Sequence, residues 1–318
     1  MNVLLTGANG FLGRALKKDL ESRPAITSST AYRSRTSEND EPGSHIVGDI
    51  DAHTNWAKAL EGVNVVIHCA ARVHIMNETD TAPEKAFRSV NVDGTLQLAH
   101  QAIAAGVSRF IFISTIKVNG DLTARDEAFY ADDVPCPSDA YAQSKWEAEQ
   151  ELTALAKNSG MELVIIRPPL VYGPGVKANF LTLLNLVDKG IPLPLGSVDN
   201  SRSIVFVGNL VDLIVTCVEH QDAANQVFLI SDSDDVSTAV LIRRLAHFLD
   251  AKSRLFDIPV WMLVAVSTML GKRALTLRLC ESLTVDISKT IQTLGWSPPY
   301  SLDEGLKRTV DAYKDAKL

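Results

Sequence analysis

The sequence is poor in cysteine, and its four cysteines lie far apart, at Cys69, Cys136, Cys217 and Cys280. No two of them form a Cys-x-x-Cys pair, so the pattern argues against a structural metal site and against a disulfide framework. Free, scattered cysteines suit a reducing compartment, and we expect a cytoplasmic protein.

Long apolar runs are also missing. The most hydrophobic stretch, IPVWMLVAVSTML (residues 258–270), is thirteen residues long, whereas a membrane-spanning helix needs ~20. This stretch therefore predicts a buried or interfacial helix and no transmembrane segment. The apolar run VLL near the N-terminus ends in Thr-Gly and is too short for a signal peptide.

An excess of basic residues is the third absence. The 318 residues include 31 Lys and Arg against 38 Asp and Glu, for a net charge of −7. Nucleic-acid binding needs a basic face to meet the phosphates, so we expect no nucleic-acid partner. The length is sufficient for a sizeable core and two lobes.

What the sequence does contain is an alternation of apolar, β-branched runs with helical patterns over its first half. The runs are NVLLTG, AITSSTAY, HIVGDI, NVVIHCAA, RFIFIST and LVIIRPP. Continuous apolar strands between amphipathic helices predict a parallel sheet covered on both faces, which is a doubly wound (Rossmann) α/β fold. Pro and Gly cluster after about residue 170, so we predict a dinucleotide-binding domain over 1–170 and a smaller, mostly helical substrate lobe over 171–318, with some segments returning to the first domain.

Three glycines follow the first strand in the spacing Gly7-x-x-Gly10-x-x-Gly13 and lead into a helical pattern. In this context backbone N–H groups and a helix dipole can cradle a pyrophosphate. The alternative is a turn that needs a positive φ and binds nothing. We favour a cofactor site, with the candidate residues Gly7, Asn9, Gly10, Phe11, Leu12 and Gly13.

The segment after the second strand, AYRSRTSEND, brings Arg33 and Arg35 before any carboxylate. An arginine near the ribose would attract a 2′-phosphate, so we favour NADP(H) over NAD(H); the alternative is two solvated loop arginines. Asp49 and Ile50, after the third strand, are candidates to flank the adenine, although Asp49 would serve equally well as a helix N-cap.

Tyr141 and Lys145 lie four residues apart in SDAYAQSKWEAEQ and so share one helix face. This pair follows the fifth strand, which ends in Ser114-Thr115. The same spacing recurs at Tyr313 and Lys317 without such a context, so the spacing alone is weak evidence.

Taken together, these motifs and RPPLVYGPG after the sixth strand resemble the extended short-chain dehydrogenase/reductase family. Within that family the chain is similar to the UDP-hexose 4-epimerase group. The segments CAARVH, NVDGT, FISTIKVNG and LGWSPP resemble the bacterial UDP-N-acetyl-quinovosamine dehydrogenases most closely.

The resemblance implies roles for the catalytic residues. Tyr141 would exchange a proton with the sugar oxygen while the nicotinamide exchanges a hydride with the carbon. Lys145 would lower the pKa of Tyr141 and hold the nicotinamide ribose, and Thr115 would hydrogen-bond the sugar oxygen. The cofactor would pass close to Ala70, Ala71 and Pro168, although ordinary strand packing also explains the two alanines.

Further positions match the family. Asn91 corresponds to an asparagine that supports the active-site backbone and a water relay, and His74 lies where a sugar should bind, with a polar loop residue as the alternative. Asn179 and Arg202 match contacts to the UDP moiety, whereas a similar role for Arg278 rests on a loose match. Relatives dimerise through the helices that carry Asn91 and Tyr141, so we expect a homodimer.

One departure concerns the segment Thr115-Ile-Lys-Val-Asn-Gly120, where 4-epimerases commonly have Ser-x-x-Val-Tyr-Gly. Lys117 would either face the sugar and favour an anionic or strongly accepting group, or point to solvent. We therefore predict an NAD(P)-dependent oxidoreductase that interconverts the C4 hydroxyl and ketone of a UDP-6-deoxy-N-acetylhexosamine in surface-polysaccharide synthesis. The alternatives are a UDP-hexose or UDP-N-acetylhexosamine 4-epimerase that retains NAD, and a nucleotide-sensing protein, against which the intact Tyr141, Lys145 and Thr115 count.

Overall fold

The computed structural model describes residues 1–37, 41–73, 83–269, 271 and 273–317. Within these residues the strands are β1 (Asn2–Thr6), β2 (Thr27–Tyr32), β3 (Ser44–Ile46), β4 (Val65–His68), β5 (Arg109–Ile113), β6 (Glu162–Arg167), β7 (Leu170–Tyr172), β8 (Ile204–Phe206) and β9 (Gln226–Leu229). The helices are α1 (Phe11–Glu21), α2 (Pro83–Arg88), α3 (Thr95–Ala104), α4 (Ala140–Ser159), α5 (Ala178–Asp188), α6 (Val207–Glu219), α7 (Thr238–Phe248), α8 (Val260–Met269), α9 (Arg273–Cys280), α10 (Ser288–Leu294) and α11 (Leu302–Asp315).

In the described chain, seven strands form the main sheet in the order β3-β2-β1-β4-β5-β6-β9. All neighbouring pairs are parallel. The chain runs outward from β1 in one direction and then from β4 in the other, so the order reverses between these two strands, where ligands of such sheets bind. The predicted doubly wound parallel sheet is confirmed.

The apolar strands divide their side chains between two cores. Val3 and Leu5 of β1 point to the cluster that includes Leu16 and Leu20 of α1, whereas Leu4 points to the cluster on the other face. Successive strand residues face opposite sides of a sheet, and helices cover both sides here. This is why the strands are apolar throughout instead of alternating with polar residues.

The apolar runs of the sequence predict six strands of this sheet, and β9 is the seventh. This strand has only four residues, QVFL, and periodicity cannot separate so short an apolar run from a buried helical segment. It pairs in parallel with β6 at the edge of the sheet.

Strands β7 and β8 form a second, two-stranded parallel sheet, and most of the elements after β7 in the chain are helices. Helix α6 packs on α1, and β9 belongs to the main sheet, so these two elements return to the first half of the chain. The division into 1–170 and 171–318 stays a prediction, with α6 and β9 as the returning segments.

Candidate active site

The loop between β1 and α1 places its glycines where side chains would not fit. Gly7 has a φ of +73°, and a Cβ on it would lie 2.7 Å from the backbone nitrogen of Ala70. A Cβ on Gly13 would overlap the carbonyl group of Gly7, so helix and loop can approach this closely only without a side chain. Gly7 is therefore required by its backbone conformation and by close approach, and Gly13 by close approach alone. The cofactor site at this loop stays a prediction.

The same loop leaves the start of α1 available to a ligand. Gly10 is the N-cap residue, and no side chain of the described chain caps the helix. The first N–H groups of α1 have no partner within the helix, and such a cluster attracts a phosphate. Asn9 is exposed beside them, whereas Phe11 and Leu12 are half-buried. The absence of side chains from this cradle fits the pyrophosphate of a dinucleotide.

A chain of buried hydrogen bonds holds this loop against the end of β4. His68 Nδ1 lies 2.8 Å from Thr6 Oγ1, and His68 Nε2 lies 3.0 Å from Thr95 Oγ1. The Thr6 hydroxyl also accepts a hydrogen bond from the Ala70 backbone N–H at 3.3 Å. Burial, with a smaller contribution from Lys145, lowers the pKa of His68 to about 3. The neutral imidazole can accept on Nδ1 and donate from Nε2, which links the glycine loop to the strand end.

At the other end of the candidate cofactor site, Arg33 and Asp49 form an ion pair. The distance between Arg33 Nε and Asp49 Oδ1 is 2.9 Å, and the two side chains are 77% and 79% exposed. In the sequence, Arg33 and Arg35 come before any carboxylate that follows β2. In the folded chain, however, Asp49 contacts Arg33 from the loop after β3. Exposed ion pairs are weak, so Asp49 reduces the attraction of Arg33 for a 2′-phosphate without abolishing it.

Ile50, the neighbouring candidate, is half-buried and lies against the start of α3. A Cβ on Gly94 would lie 2.6 Å from Ile50 Cγ2. Ala71 is also half-buried and follows β4, whereas Arg35 is exposed. Contacts of these residues with a cofactor stay predictions.

Tyr141 and Lys145 lie one turn apart near the start of α4, which begins at an aspartate cap. Asp139 Oδ1 accepts a hydrogen bond from the backbone N–H of Ala142 at 2.7 Å. The Lys117 ammonium forms an ion pair with the other oxygen of Asp139. A carboxylate at the N-cap of α4 thus neutralises the Lys117 charge, and a contact between Lys117 and the sugar stays a prediction. Lys117 ties the loop after β5 to the helix that carries Tyr141.

Burial dominates the titration of both predicted catalytic groups. It raises the pKa of Tyr141 to about 12, and the negative charge of Asp139 adds to the rise. Burial lowers the pKa of Lys145 to about 7, although Glu149 partly opposes this effect. The Lys145 ammonium lies 3.9 Å from the centre of the Phe112 ring. Desolvation of the phenolate therefore sets the direction of the Tyr141 pKa in the protein chain by itself. The lowering of this pKa by Lys145 stays a prediction.

Asn91 joins the segment after β4 to the catalytic helix. Its Oδ1 accepts from the Arg72 backbone N–H at 2.8 Å, and its Nδ2 donates to the Arg72 carbonyl at 3.0 Å. Nδ2 also donates to Ser144 Oγ at 3.0 Å, and this hydroxyl donates to the Tyr141 carbonyl. Asn91 lies in a π-helical turn, Ser89–Gly94, a feature found frequently at functional sites. The predicted support of the active-site backbone thus has a geometric basis.

Two hydroxyl residues follow β5, and they have different surroundings. Ser114 is buried and donates its hydroxyl proton to Glu149. Thr115 is half-buried, and its Oγ1 accepts only a long hydrogen bond, 3.4 Å, from the Lys117 N–H within the described chain. The Thr115 hydroxyl proton has no acceptor among the described residues, and its contact with a substrate stays a prediction. The Pro168 carbonyl accepts from the Ile116 N–H at 3.0 Å, which joins the loops after β5 and β6.

A buried ion pair missed by the sequence analysis supports this end of the site. Arg167 and Glu149 are 4% and 2% exposed at their side chains. Arg167 Nε lies 3.0 Å from Glu149 Oε1, and Arg167 Nη1 donates to Asn119 Oδ1 at 3.0 Å. One signal was present in the sequence, because Glu149 follows Lys145 by four residues and shares its helix face.

The candidate UDP contacts lie in the later part of the chain. Arg202 Nη1 donates to the carbonyls of Arg278 and Glu281 at 2.9 and 3.0 Å. Within the described residues, the remaining guanidinium donors of Arg202 have no hydrogen bond, and burial lowers its pKa. Asn179 is exposed in the first turn of α5, and the Arg278 side chain is exposed. His74 lies outside the described residues.

The described part of the chain shows neither a metal-binding cluster nor a membrane-spanning helix. No group of three or more His, Cys, Asp or Glu side chains is arranged to hold a metal ion there. No described helix has both the length and the apolar character needed to cross a bilayer.

Comparison with protein families gives one match that covers most of the chain. Residues 3–231 match the model of the NAD dependent epimerase/dehydratase family. This range includes the glycine loop, Thr115, Tyr141, Lys145 and Arg202.

Two curated relatives match over nearly their whole length. A UDP-glucose 4-epimerase of Vibrio cholerae is 49% identical over 316 residues, covering 99% of this chain and 96% of the relative. An N-acetyl-alpha-D-glucosaminyl-diphospho-ditrans,octacis-undecaprenol 4-epimerase of Escherichia coli O157:H7 is 28% identical, covering 97% of this chain and 94% of the relative. Among solved structures, a UDP-glucuronic acid 4-epimerase from Bacillus cereus in complex with NAD has a TM-score of 0.80 at 23% identity, with 100% of both chains covered. That structural likeness shows the fold.

Proposed function

Since this chain belongs to the NAD dependent epimerase/dehydratase family, we propose that it is a UDP-hexose 4-epimerase that retains NAD throughout its catalytic cycle. Its reaction would interconvert UDP-glucose and UDP-galactose by oxidising C4 and then reducing it from the opposite face. The observation that carries this proposal is the 49% identity, over almost the full length, to the Vibrio cholerae protein described as a UDP-glucose 4-epimerase. The geometry supports it by collecting Thr115, Tyr141 and Lys145 at the same sheet edge as the glycine loop.

The residues at this edge fit a dinucleotide. The glycine loop and the uncapped start of α1 would hold the pyrophosphate, while Ala70 and Pro168 would line its path. NAD, when bound, supplies the hydride acceptor for C4 and a positive charge that favours the tyrosinate. Tyr141 would take the proton from the 4-hydroxyl and return it at the end of the cycle.

The neighbours of Tyr141 would hold it in position during these proton transfers. Thr115 would donate its hydroxyl proton to the same sugar oxygen, and Lys145 would lie behind the phenol on the adjacent helical turn. Asn91 and Ser144 fix the backbone of this turn through the hydrogen bonds described above. Epimerisation also requires the keto sugar to rotate while its nucleotide stays bound, and Arg202 and Asn179 are the residues we propose for holding the UDP moiety.

The second candidate is net oxidoreduction at C4 of a UDP-6-deoxy-N-acetylhexosamine. It rests on the segment Thr115–Gly120 and on the likeness to UDP-N-acetyl-quinovosamine dehydrogenases. The ion pair between Lys117 and Asp139 weakens it, because Lys117 no longer offers a free cation to an anionic sugar substituent. We therefore place epimerisation first.

For the cofactor we propose NAD over NADP(H). The carboxylate of Asp49 beside Arg33 would repel a 2′-phosphate and can accept hydrogen bonds from ribose hydroxyls. The preference for NADP(H) drawn from the sequence depends on arginines without a nearby carboxylate.

Homodimerisation through α3 and α4 also stays a proposal, which size-exclusion chromatography with light scattering would test.

The experiment that tests the proposed reaction is incubation of the purified protein with UDP-glucose and separation of the nucleotide sugars by chromatography. We expect UDP-galactose to form without added reductant, and no UDP-galactose with Tyr141→Phe. In a parallel incubation, the protein receives a UDP-4-keto-6-deoxy-N-acetylhexosamine together with NADPH. Consumption of NADPH in that arm with no conversion of UDP-glucose would favour the second candidate.

A further inference from the structure

The outer face of α8 carries five exposed apolar residues. Trp261 is 70% exposed and Met269 is 88% exposed, and Met262, Ala265 and Val266 between them are exposed as well. These positions follow the spacing i, i+1, i+4, i+5 and i+8, so they form one stripe on the helix. We call these five residues the apolar stripe of α8.

The opposite face of α8 packs against the protein, which leaves the stripe exposed. Val260 and Leu263 pack against the main core cluster, and Ser267 is buried with its hydroxyl bonded to the Val264 carbonyl at 3.0 Å. Single exposed apolar residues are common on proteins, but a contiguous exposed patch marks an interaction surface. The stripe therefore needs a partner that the described chain does not supply.

Two further exposed apolar residues lie outside the helix. Phe256, just before α8, is 46% exposed, and Ile191 is 42% exposed. The backbones of these two segments are joined by hydrogen bonds between Leu193 and Arg254 and between Phe256 and Leu193, at 2.9 and 3.1 Å. The exposed apolar surface thus involves two segments of the lobe.

The sequence segment that carries the stripe has a net charge opposite in sign to that of the whole protein. Residues 252–278 contain five basic residues, Lys252, Arg254, Lys272, Arg273 and Arg278, and one acidic residue, Asp257, whereas the chain has a net charge of −7. Lys252, Arg254 and Arg273 are exposed and form no ion pair with any described carboxylate. An apolar helix face flanked by basic residues has the chemistry of an anionic lipid surface.

We propose that the apolar stripe of α8 docks on an anionic lipid bilayer, with the helix lying in the plane of the interface. The helix has ten residues, about 15 Å of length, so it is too short to span a bilayer and has the right shape to lie on one. A second copy of the chain is a worse partner, because a two-fold contact would bring the basic flanks of both copies together.

The segment after the stripe leads to a candidate substrate residue. Helix α9 follows α8, and the carbonyls of Arg278 and Glu281 at its end accept hydrogen bonds from Arg202. The docking itself is independent of the proposed reaction, so either can fail without the other.

The test is co-sedimentation of the full-length protein with vesicles of phosphatidylcholine alone and of phosphatidylcholine mixed equally with phosphatidylglycerol. We expect binding to the mixed vesicles only, and release at high salt. Trp261→Ser with Met269→Ser should weaken binding at least about tenfold, because both side chains would leave the lipid. The matched control is Val134→Ser, which removes an 87% exposed apolar side chain from another surface and should leave binding unchanged.

A second pair of variants tests the charge. Lys252→Gln with Arg254→Gln should weaken binding by up to roughly 30-fold, from the usual attraction of a basic residue near an anionic surface. Lys18→Gln with Lys58→Gln removes the same charge from the surface of the first domain and should have little effect. Equal binding to both vesicle types, binding to neither, or a loss of self-association instead of vesicle binding in the Trp261 and Met269 variant would overturn the proposal.

Discussion

Replacing Glu149 with glutamine should destabilise the folded protein strongly, because Arg167 would be left buried without a carboxylate. The two side chains are 2% and 4% exposed, so water cannot replace the lost partner. Breaking a buried pair by removing one member costs about 3–5 kcal/mol. Unfolding entropy of about 2.1 cal/mol/K per residue gives ~0.7 kcal/mol/K for this chain of 318 residues, so the melting temperature should fall by about 4–8 °C.

Thermal unfolding followed by circular dichroism or calorimetry is the assay, with Glu162→Gln as the matched control. Glu162 pairs with Arg109 but is 41% exposed, and Arg109 keeps the backbone carbonyls of Cys217, Val218 and His220 as acceptors. The control should therefore lose less than ~1 kcal/mol.

A double variant, Glu149→Gln with Arg167→Met, separates the unpaired charge from lost packing. Removing both charges should recover much of the stability lost in Glu149→Gln, since Arg167 is no longer buried without a partner. Recovery should be incomplete, because Lys145, which is 1% exposed, still loses the favourable charge of Glu149. The reasoning is refuted if Glu149→Gln costs no more than Glu162→Gln, or if the double variant is as unstable as the single one.

Three further predictions follow from the candidate site. Tyr141→Phe should lower kcat by a factor of ~10²–10⁴ and leave NAD binding nearly unchanged. The control is Tyr130→Phe, which changes an exposed tyrosine. If Tyr141→Phe kept more than about a tenth of the turnover, the proposed role of the phenol would be contradicted. Fluorescence titration should show tighter binding of NADH than of NADPH. Asp49→Ala should reduce the difference between the two affinities, and an unchanged difference in that variant would show that Asp49 does not select the cofactor. Urea denaturation should show the free energy of unfolding rising from about pH 7 to about pH 8.5. The pKa of Lys145 is about 7 in the folded protein and near 10.5 when unfolded, so the unfolded chain binds the extra proton over this range. At higher pH the thiols of Cys69 and Cys217, whose pKa burial raises, oppose the rise. Lys145→Met should remove that rise, and an identical pH dependence in the variant would show that the buried lysine is not its source.

The fold was predictable because burial on both faces of a parallel sheet leaves a pattern in the sequence. Runs such as Val3–Leu5 have no polar residue, and helical patterns separate one run from the next. Strand β9 was missed because its four residues are too few to show a period. The position of β9 at the sheet edge depends on the path of the chain through α6, and the local sequence pattern does not predict this path.

The candidate site was predictable where its signal is local. Tyr141 and Lys145 stand out through their helical spacing after a strand that ends in Ser-Thr. The partners of Lys117 and Arg33 were not predictable, because Asp139 and Asp49 come from other loops and meet them only in the folded chain.

The direction of the Tyr141 pKa could not be predicted from the sequence either. A nearby lysine lowers the pKa of a phenol and burial raises it, and only the folded structure shows that burial is the larger effect. Glu149 gave a weak signal through its spacing from Lys145, but its pairing with Arg167 depends on how α4 lies on β6.

The central claim, 4-epimerisation with retained NAD, is tested most directly by the fate of a deuterium label at C4 of UDP-glucose. The protein is incubated with the labelled substrate and an excess of unlabelled NADH, and the products are examined by NMR and mass spectrometry. We predict UDP-galactose that keeps its deuterium at C4, because the hydride taken from the sugar returns from the same bound cofactor. Loss of the deuterium to the cofactor in solution, or formation of a 4-keto sugar without UDP-galactose, would contradict the account.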